Sequence, residues 1–421
     1  MRPIVLAAWL AVVAGCALRA SPLGTPSPVA REGAGAGEAR FVAGNDVRLL
    51  VDGPQTHAAM FEAMARARDH INVETYILDD SELGERFAEL AGRKAAQGVK
   101  VNVIYDAIGS IATSPAYFER LTKAGVHVCE FNPVNPARGG RGSDLNNRDH
   151  RKIAVVDGRV AFTGGINISE AYSYGSAAAR RKAHHDPRED AKRGWRDTDV
   201  RVEGPVTRQF QRLFLDSWAL QDCGPIVAAG YFPALAVRGD KAARVVTSDP
   251  VRGESDMYVA LLAAIRQARH RVWLTIGYFV PDPTTREALE QAARRGVDVR
   301  LVLPGFSDFW APVYAGRSNY EELLAAGVRI YEWHEALMHA KTALVDSDWA
   351  SVGSTNVDWR SFVHNYEADL IVRDAAFARD MERRFVLDVQ ASAEVTREAW
   401  ASRGPLERLK EALARAWQYM L

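Results

Sequence analysis

Two stretches of the 421-residue chain carry the same chemically capable set. His150, Lys152 and Asp157 read H-x-K-x₄-D, and His339, Lys341 and Asp346 repeat it. Asn167 and Asn356 each follow their histidine by 17 positions. With 10 His and 9 Lys in the chain, one match is rare and two in a shared frame are not accidental. One copy alone would read as a surface accident. Residues two apart on a strand point to the same face, so each His and Lys can serve one site. Two imidazoles at a common centre supply a nucleophile and a proton donor. Two ammonium groups and two amides can hold the non-bridging oxygens of a phosphodiester. Charge on phosphorus is then met by lysine, so neither a metal nor a cofactor is expected. His184 and His185 beside Asp186 have no further ligand spacing to make a metal site.

The elements that must position these residues are duplicated too. RARDHINVETYI (66–77) matches QARHRVWLTIGYF (267–279), AAQGVKVNVIYD (95–106) matches AARRGVDVRLVLPG (292–305), and AGVHVCEF (124–131) matches AGVRIYEW (326–333). Helix patterns ending at glycine alternate with short Val/Ile/Leu runs, the grammar of an α/β sheet covered by helices. In the helices expected over 55–69 and 256–269 the apolar stripes are ordinary core faces. Glu74 and Tyr76 either line the site entrance or end a core strand, and the core is favoured. Gly and Pro break the pattern over 222–243. The expected fold is therefore two duplicated α/β domains, 41–225 and 240–400, related by a pseudo-twofold axis with the active site at their interface.

Apolar residues make up 48% of the chain and charged residues 25%, as in a globular protein. The 53 basic and 53 acidic residues cancel, which argues against a dedicated polyanion binder, and no nucleic-acid partner is expected. Arg2, the apolar run to Ala14 and Gly15-Cys16 read as an export signal over 1–15. The run is too short to span a bilayer. Val13-Ala14-Gly15-Cys16 resembles the bacterial lipoprotein box, which implies acylation of Cys16, a flexible tether over 16–40 and a periplasm-facing envelope protein. Cys129 and Cys223 could pair in an oxidising periplasm, but with no cysteine framework they read rather as two buried thiols. The basic stretch from Arg180 to Arg193 fits either a solvated loop or a membrane-facing one. The segment 404–421 places Leu406, Leu409, Leu413, Ala416, Trp417 and Met420 at helical spacing. It suits packing on the protein or, favoured here, a membrane interface.

The two motifs, with VETYILDD (73–80), NRDHRKIAVVDGRVAFTGGINIS (147–169), WRDTDVRVEGP (195–205), TIGYFVPD (275–282) and MHAKTALVDSDWASVGSTNVDWRSF (338–362), resemble the phospholipase D superfamily from about residue 45 to 400. In detail they are similar to its bacterial cardiolipin synthase branch. The resemblance implies that His150 attacks phosphorus and forms a phosphatidyl-histidine, while His339 protonates the leaving alcohol and deprotonates the incoming one. Which His is the nucleophile rests on the family's habit. Lys152, Lys341, Asn167 and Asn356 would hold the phosphate. Asp197 and Glu367 resemble the acids that orient the imidazoles. Asp157 and Asp346, members of the motif, are expected as structural partners at strand ends. Gly277, where relatives often carry Pro, is expected to bear on a loop rather than on the chemistry. The implied reaction moves a phosphatidyl group from phosphatidylglycerol to a second phosphatidylglycerol at a membrane surface. Phospholipid hydrolysis, an exported nuclease and a lipid-binding lipoprotein on an inactive scaffold are the rivals.

Overall fold

The computed structural model describes residues 40–135, 146–176, 194–226, 230–307 and 309–416. The export signal, Cys16, most of the tether, the Arg180–Arg193 stretch with His184 and His185, Trp417 and Met420 lie outside them. The first half holds β1 (Val42–Val51), β2 (His70–Thr75), β3 (Lys100–Asp106), β4 (His127–Phe131), β5 (Arg148–Asp149), β6 (Lys152–Val156), β7 (Val160–Gly164) and β8 (Thr198–Glu203). Its sheet runs β1-β8-β7-β6-β2-β3-β4, with β2, β3 and β4 mutually parallel. The second half holds β9 (Lys241–Asp249), β10 (Glu254–Ser255), β11 (Arg271–Ile276), β12 (Asp298–Pro304), β13 (Arg329–Trp333), β14 (Lys341–Val345), β15 (Trp349–Gly353), β16 (Asn365–Arg373) and β17 (Ser392–Val395). Its order is β9-β16-β15-β14-β11-β12-β13, the same frame, with β17 added at the far edge.

Among the described residues the helices are α1 (Asp52–Ala65), α2 (Glu82–Ala96), α3 (Pro115–Lys123), α4 (Thr207–Leu220), α5 (Asp256–Gln267), α6 (Pro283–Arg294), α7 (Trp310–Arg317), α8 (Tyr320–Ala326), α9 (Ala375–Gln390), α10 (Arg397–Ala401) and α11 (Pro405–Arg415). Local sequence explains the equivalent crossovers. The Ser81 side chain caps α2 and Glu82 and Glu85 occupy its first turn; Asp282 caps α6, with Pro283 at the first helical position. Both helices stop at a left-handed glycine, Gly98 (φ +86°) and Gly296 (φ +88°), which sends the chain back into β3 and β12.

Each half buries one sheet face under its own helices, around Phe87 and Val103 in the first and Leu289 and Leu301 in the second. The opposite faces share a single core. There Val155, Val200 and Phe210 of the first half meet Val302, Leu344, Leu370 and Phe377 of the second. The start of β1 also pairs with β9, so the sheets join at that edge. The halves are thus fixed relative to one another by buried apolar surface rather than by a linker.

One expectation needs correction. Cys129 and Cys223 are not separate thiols but a disulfide, with Cα atoms 5.5 Å apart. It ties β4 to the turn after α4, around a cluster of Phe131, Phe214, Trp218 and Tyr366. Sequence could not pair them because 94 residues separate them. The described part of the segment expected to suit a membrane interface forms α11, whose apolar side faces outward. It docks on α7 through Ala414, which packs with Val280 and Ala315. Buried Glu411 is paired to Arg403, while Leu406, Leu409 and Leu413 face solvent.

Candidate active site

Strand register brings the two motifs to the same edge. Thr75 pairs with Lys152 and Ile276 with Lys341, so each His-x-Lys pair opens a strand beside the carboxyl end of β2 or β11. The backbone then crosses between halves. His150 N–H donates to the Tyr366 carbonyl (2.9 Å), and His339 N–H donates to the Arg196 carbonyl (2.8 Å). Side chains cross as well. His150 Nδ1 lies 3.0 Å from both carboxylate oxygens of Glu367, and His339 Nδ1 lies 2.8 Å from Asp197 Oδ2. The two ring centroids are 6.5 Å apart at 70°, so the imidazoles of the two motifs meet at one centre. With Nδ1–H given to a carboxylate, Nε2 of each neutral imidazole carries the lone pair.

Lys152 Nζ donates to the His150 carbonyl, and Lys341 Nζ stands 2.9 Å from His339 Nδ1. The Asn167 and Asn356 Oδ1 atoms accept from the N–H groups of Ile77 and Tyr278, pinning the chain just past β2 and β11. Asn167 Nδ2 donates to the Tyr172 hydroxyl, which is 3.1 Å from His339 Nδ1. Asp157 and Asp346 lie away from this centre. Asp157 accepts from the N–H groups of Arg68, Asp69 and His70, and Asp346 from those of Arg269, His270 and Arg271. Each clamps the turn that leads into β2 or β11.

Electrostatics separates the two imidazole–carboxylate pairs. Burial, then the ammonium groups of Lys152 and Lys341, push His150 well below its ordinary range. Burial and Lys341 push His339 down to about 3. Both shifts favour the neutral ring. Burial raises Glu367 to about 7, against the pull of Lys152. Burial also opposes ionisation of Asp197, yet the hydrogen bond from His339 and the charge of Lys341 hold it below the usual carboxylate range. Burial lowers Lys152 to about 7, with Glu367 resisting and Lys341 assisting. An anionic phosphodiester between the lysines would offset their repulsion of an imidazolium, leaving burial as the main opposing effect.

Several residues at the centre carried no signal of their own in the sequence. Tyr76, expected in the core, instead sets its ring 5.1 Å from His150; Glu74 is buried as expected. Trp195 lies 5.0 Å from the His339 ring, and Tyr172 packs against Trp195. Arg196 holds Asp388 of α9 and Thr198, fastening the Asp197 segment to the second half. Gly277 touches the chemistry after all. A Cβ there would come within 3.0 Å of His339 Cα, so the glycine lets β11 close on the motif. Trp195 and Arg196 flank Asp197 in a segment already singled out, whereas Tyr172 needs the folded crossing of halves to become visible.

A family model described as cardiolipin synthase, PLD-like domain matches residues 60–176 and 261–388, one segment in each half. The chain belongs to the phospholipase D-like family. Among similar relatives of this phospholipase D-like chain, cardiolipin synthase 2 of Bacillus cereus is 34% identical over 373 residues, 88% of this chain and 70% of the relative. A cardiolipin synthase of Listeria monocytogenes is 34% identical over 375 residues, covering 88% and 74%. Phosphatidylserine synthase of Haemophilus influenzae superposes with a TM-score of 0.64 over 91% of this chain and 98% of that one, at 13% identity, which supports the fold alone.

Proposed function

We propose that this phospholipase D-like enzyme is a phosphatidyltransferase that makes cardiolipin from two molecules of phosphatidylglycerol. His150 Nε2 attacks the donor phosphorus, and the P–O bond to glycerol breaks as His339, an imidazolium protonated on Nε2 once the anionic substrate is in place, hands that oxygen its proton. Glycerol leaves and a phosphatidyl group stays on His150. His339, now neutral, takes the proton from a hydroxyl of the second phosphatidylglycerol, whose oxygen attacks phosphorus and breaks the P–N bond. Lys152 and Lys341 carry the phosphate charge throughout. The ionised Asp197 favours the imidazolium form of His339, which fits that ring to the acid role. The observation that carries this reading is the pair of facing histidines, each hydrogen-bonded to a carboxylate from the opposite half.

The test is incubation of the purified protein with phosphatidylglycerol alone. Cardiolipin and glycerol are expected in equal amounts. Phosphatidic acid would point to hydrolysis, and cleavage of DNA without lipid turnover to a nuclease.

We also propose that the enzyme faces the periplasm at the membrane surface, anchored through acylated Cys16. The Cys129–Cys223 disulfide supports an oxidising compartment. Among the described residues no helix is long and apolar enough to cross a membrane. Mass spectrometry of the membrane fraction should find diacylglyceryl-Cys16; an unmodified Cys16 on envelope-bound protein would contradict the anchor.

A further inference from the structure

The outward leucines of α11 are at odds with folding on its own terms. An amphipathic helix that docks on its protein puts leucine inside and charge outside. Here Leu406, Leu409 and Leu413 are 61, 55 and 57% exposed, while Glu411 is buried. The stripe does not stand alone. Lys410 reaches the Tyr314 hydroxyl at 3.2 Å, and Tyr314 packs at 6.0 Å from Trp310, which is itself 55% exposed at the start of α7. Leucines, tryptophan, tyrosine and lysine therefore form one connected patch, with lysine where its stem can lie along the apolar side.

The patch is continuous with the site mouth. α7 follows β12, whose carboxyl end lies at the motif edge of its sheet. In the intervening loop Phe306 packs against the cluster of Ile166, Tyr172, Trp195 and Leu337 beside His339. The first half answers on the same edge: Ile111, in the loop after β3, is exposed. An apolar side chain thus stands on the motif edge of each half, Ile111 in the first and Phe306 in the second.

We infer that this face, the Leu406–Leu409–Leu413 stripe with Trp310, docks in the headgroup layer of a phospholipid bilayer and holds the site mouth toward its lipid substrates. This rests on the lipid reading of the site, which commits the mouth to a membrane. The aromatic–aliphatic patch with basic residues at its border has the composition of an interfacial element. Entry from an aqueous face would require each lipid to leave the bilayer first.

Full-length Leu409→Cys labelled with an environment-sensitive fluorophore is mixed with phosphatidylglycerol vesicles, alongside Glu89→Cys on exposed α2 as control. Position 409 should shift to the blue and brighten, and position 89 should not. In the same preparation Leu406→Glu/Leu409→Glu/Leu413→Glu should lower kcat/KM on vesicles at least about tenfold. Its turnover of a monomeric short-chain phosphatidylglycerol should stay within about twofold. Unshifted fluorescence at 409 in a protein that still turns over vesicles overturns the docking face and leaves the proposed function standing. Blue-shifted 409 with no lipid turnover does the reverse. A marked loss of thermal stability in the triple-Glu variant would show that the stripe is covered by the protein itself, and also overturns the inference.

Discussion

The two halves share a frame but not a chemistry. Around the first motif the strand reads Asp149-His150-Arg151-Lys152; around the second, Met338-His339-Ala340-Lys341. The first is embedded in buried charge. Arg151 donates to Ser217 and packs on the Tyr366 ring, with Glu74 beside it and Asp149 close enough for burial to keep both carboxyls above their usual range. In the second, Met338 and Ala340, the residues on either side of His339, pack into the apolar core shared by the two halves. The orienting acids diverge in the same way. Asp197 lies so close to Gly165 that a Cβ there would clash with it, whereas at the matching position Ser354 donates to Glu367. One carboxylate stays ionised and the other titrates near 7. Duplication built a symmetric cradle, and divergence of its neighbours gave the two imidazoles different carboxylate partners, on which the proposed roles rest.

The sharpest way to break this comparison is to neutralise the acids one at a time. Asp197→Asn removes a full negative charge and should lower kcat about 10³-fold. Glu367→Gln, replacing a group already half neutral at pH 7, should cost about tenfold. Equal losses measured by steady-state kinetics would mean that the pairs are equivalent. His150→Ala and His339→Ala should each cost at least about 10³-fold without unfolding the protein, checked by circular dichroism.

Next comes the disulfide, which belongs to the first half alone among the described residues. Cys129→Ser/Cys223→Ser should lower stability by about 3 kcal/mol in denaturant titration. The strand-end aspartates are the symmetric control. Asp157→Ala and Asp346→Ala each strand three backbone N–H groups, and each should cost about 2 kcal/mol with little change in activity per folded molecule. A large activity loss in one alone would restore a catalytic role to that aspartate.

The smallest effect is a pH profile. In the proposed mechanism Lys152 binds phosphate as an ammonium, and burial, with Lys341 assisting and Glu367 resisting, lowers its pKa to about 7. Below 7 the ammonium is present; above it kcat/KM should fall, approaching tenfold per pH unit. Lys152→Arg keeps its charge, so the fall should vanish even if the plateau is lower. An unchanged alkaline limb would assign it to another group.

Much of this was legible in the sequence because duplication writes the same constraint twice. The two His-x-Lys pairs, the Asn spacing and the glycine that ends α2 and α6 are local rules, and local rules survive without coordinates. What stayed hidden depends on distance in space. Nothing along the chain says that Glu367 serves His150 and Asp197 serves His339, since each bond joins residues some 140 to 220 positions apart. The same is true of the disulfide and of Tyr172. For α11 the period was readable but not its orientation, because the helix buries Glu411 on an arginine partner and leaves its leucines outside.

The central claim is a covalent phosphatidyl group on one named nitrogen. Quenching the enzyme during turnover of phosphatidylglycerol and mapping its peptides by mass spectrometry should find the phosphatidyl adduct on His150. An adduct on His339, or none at either ring while cardiolipin accumulates, would contradict it.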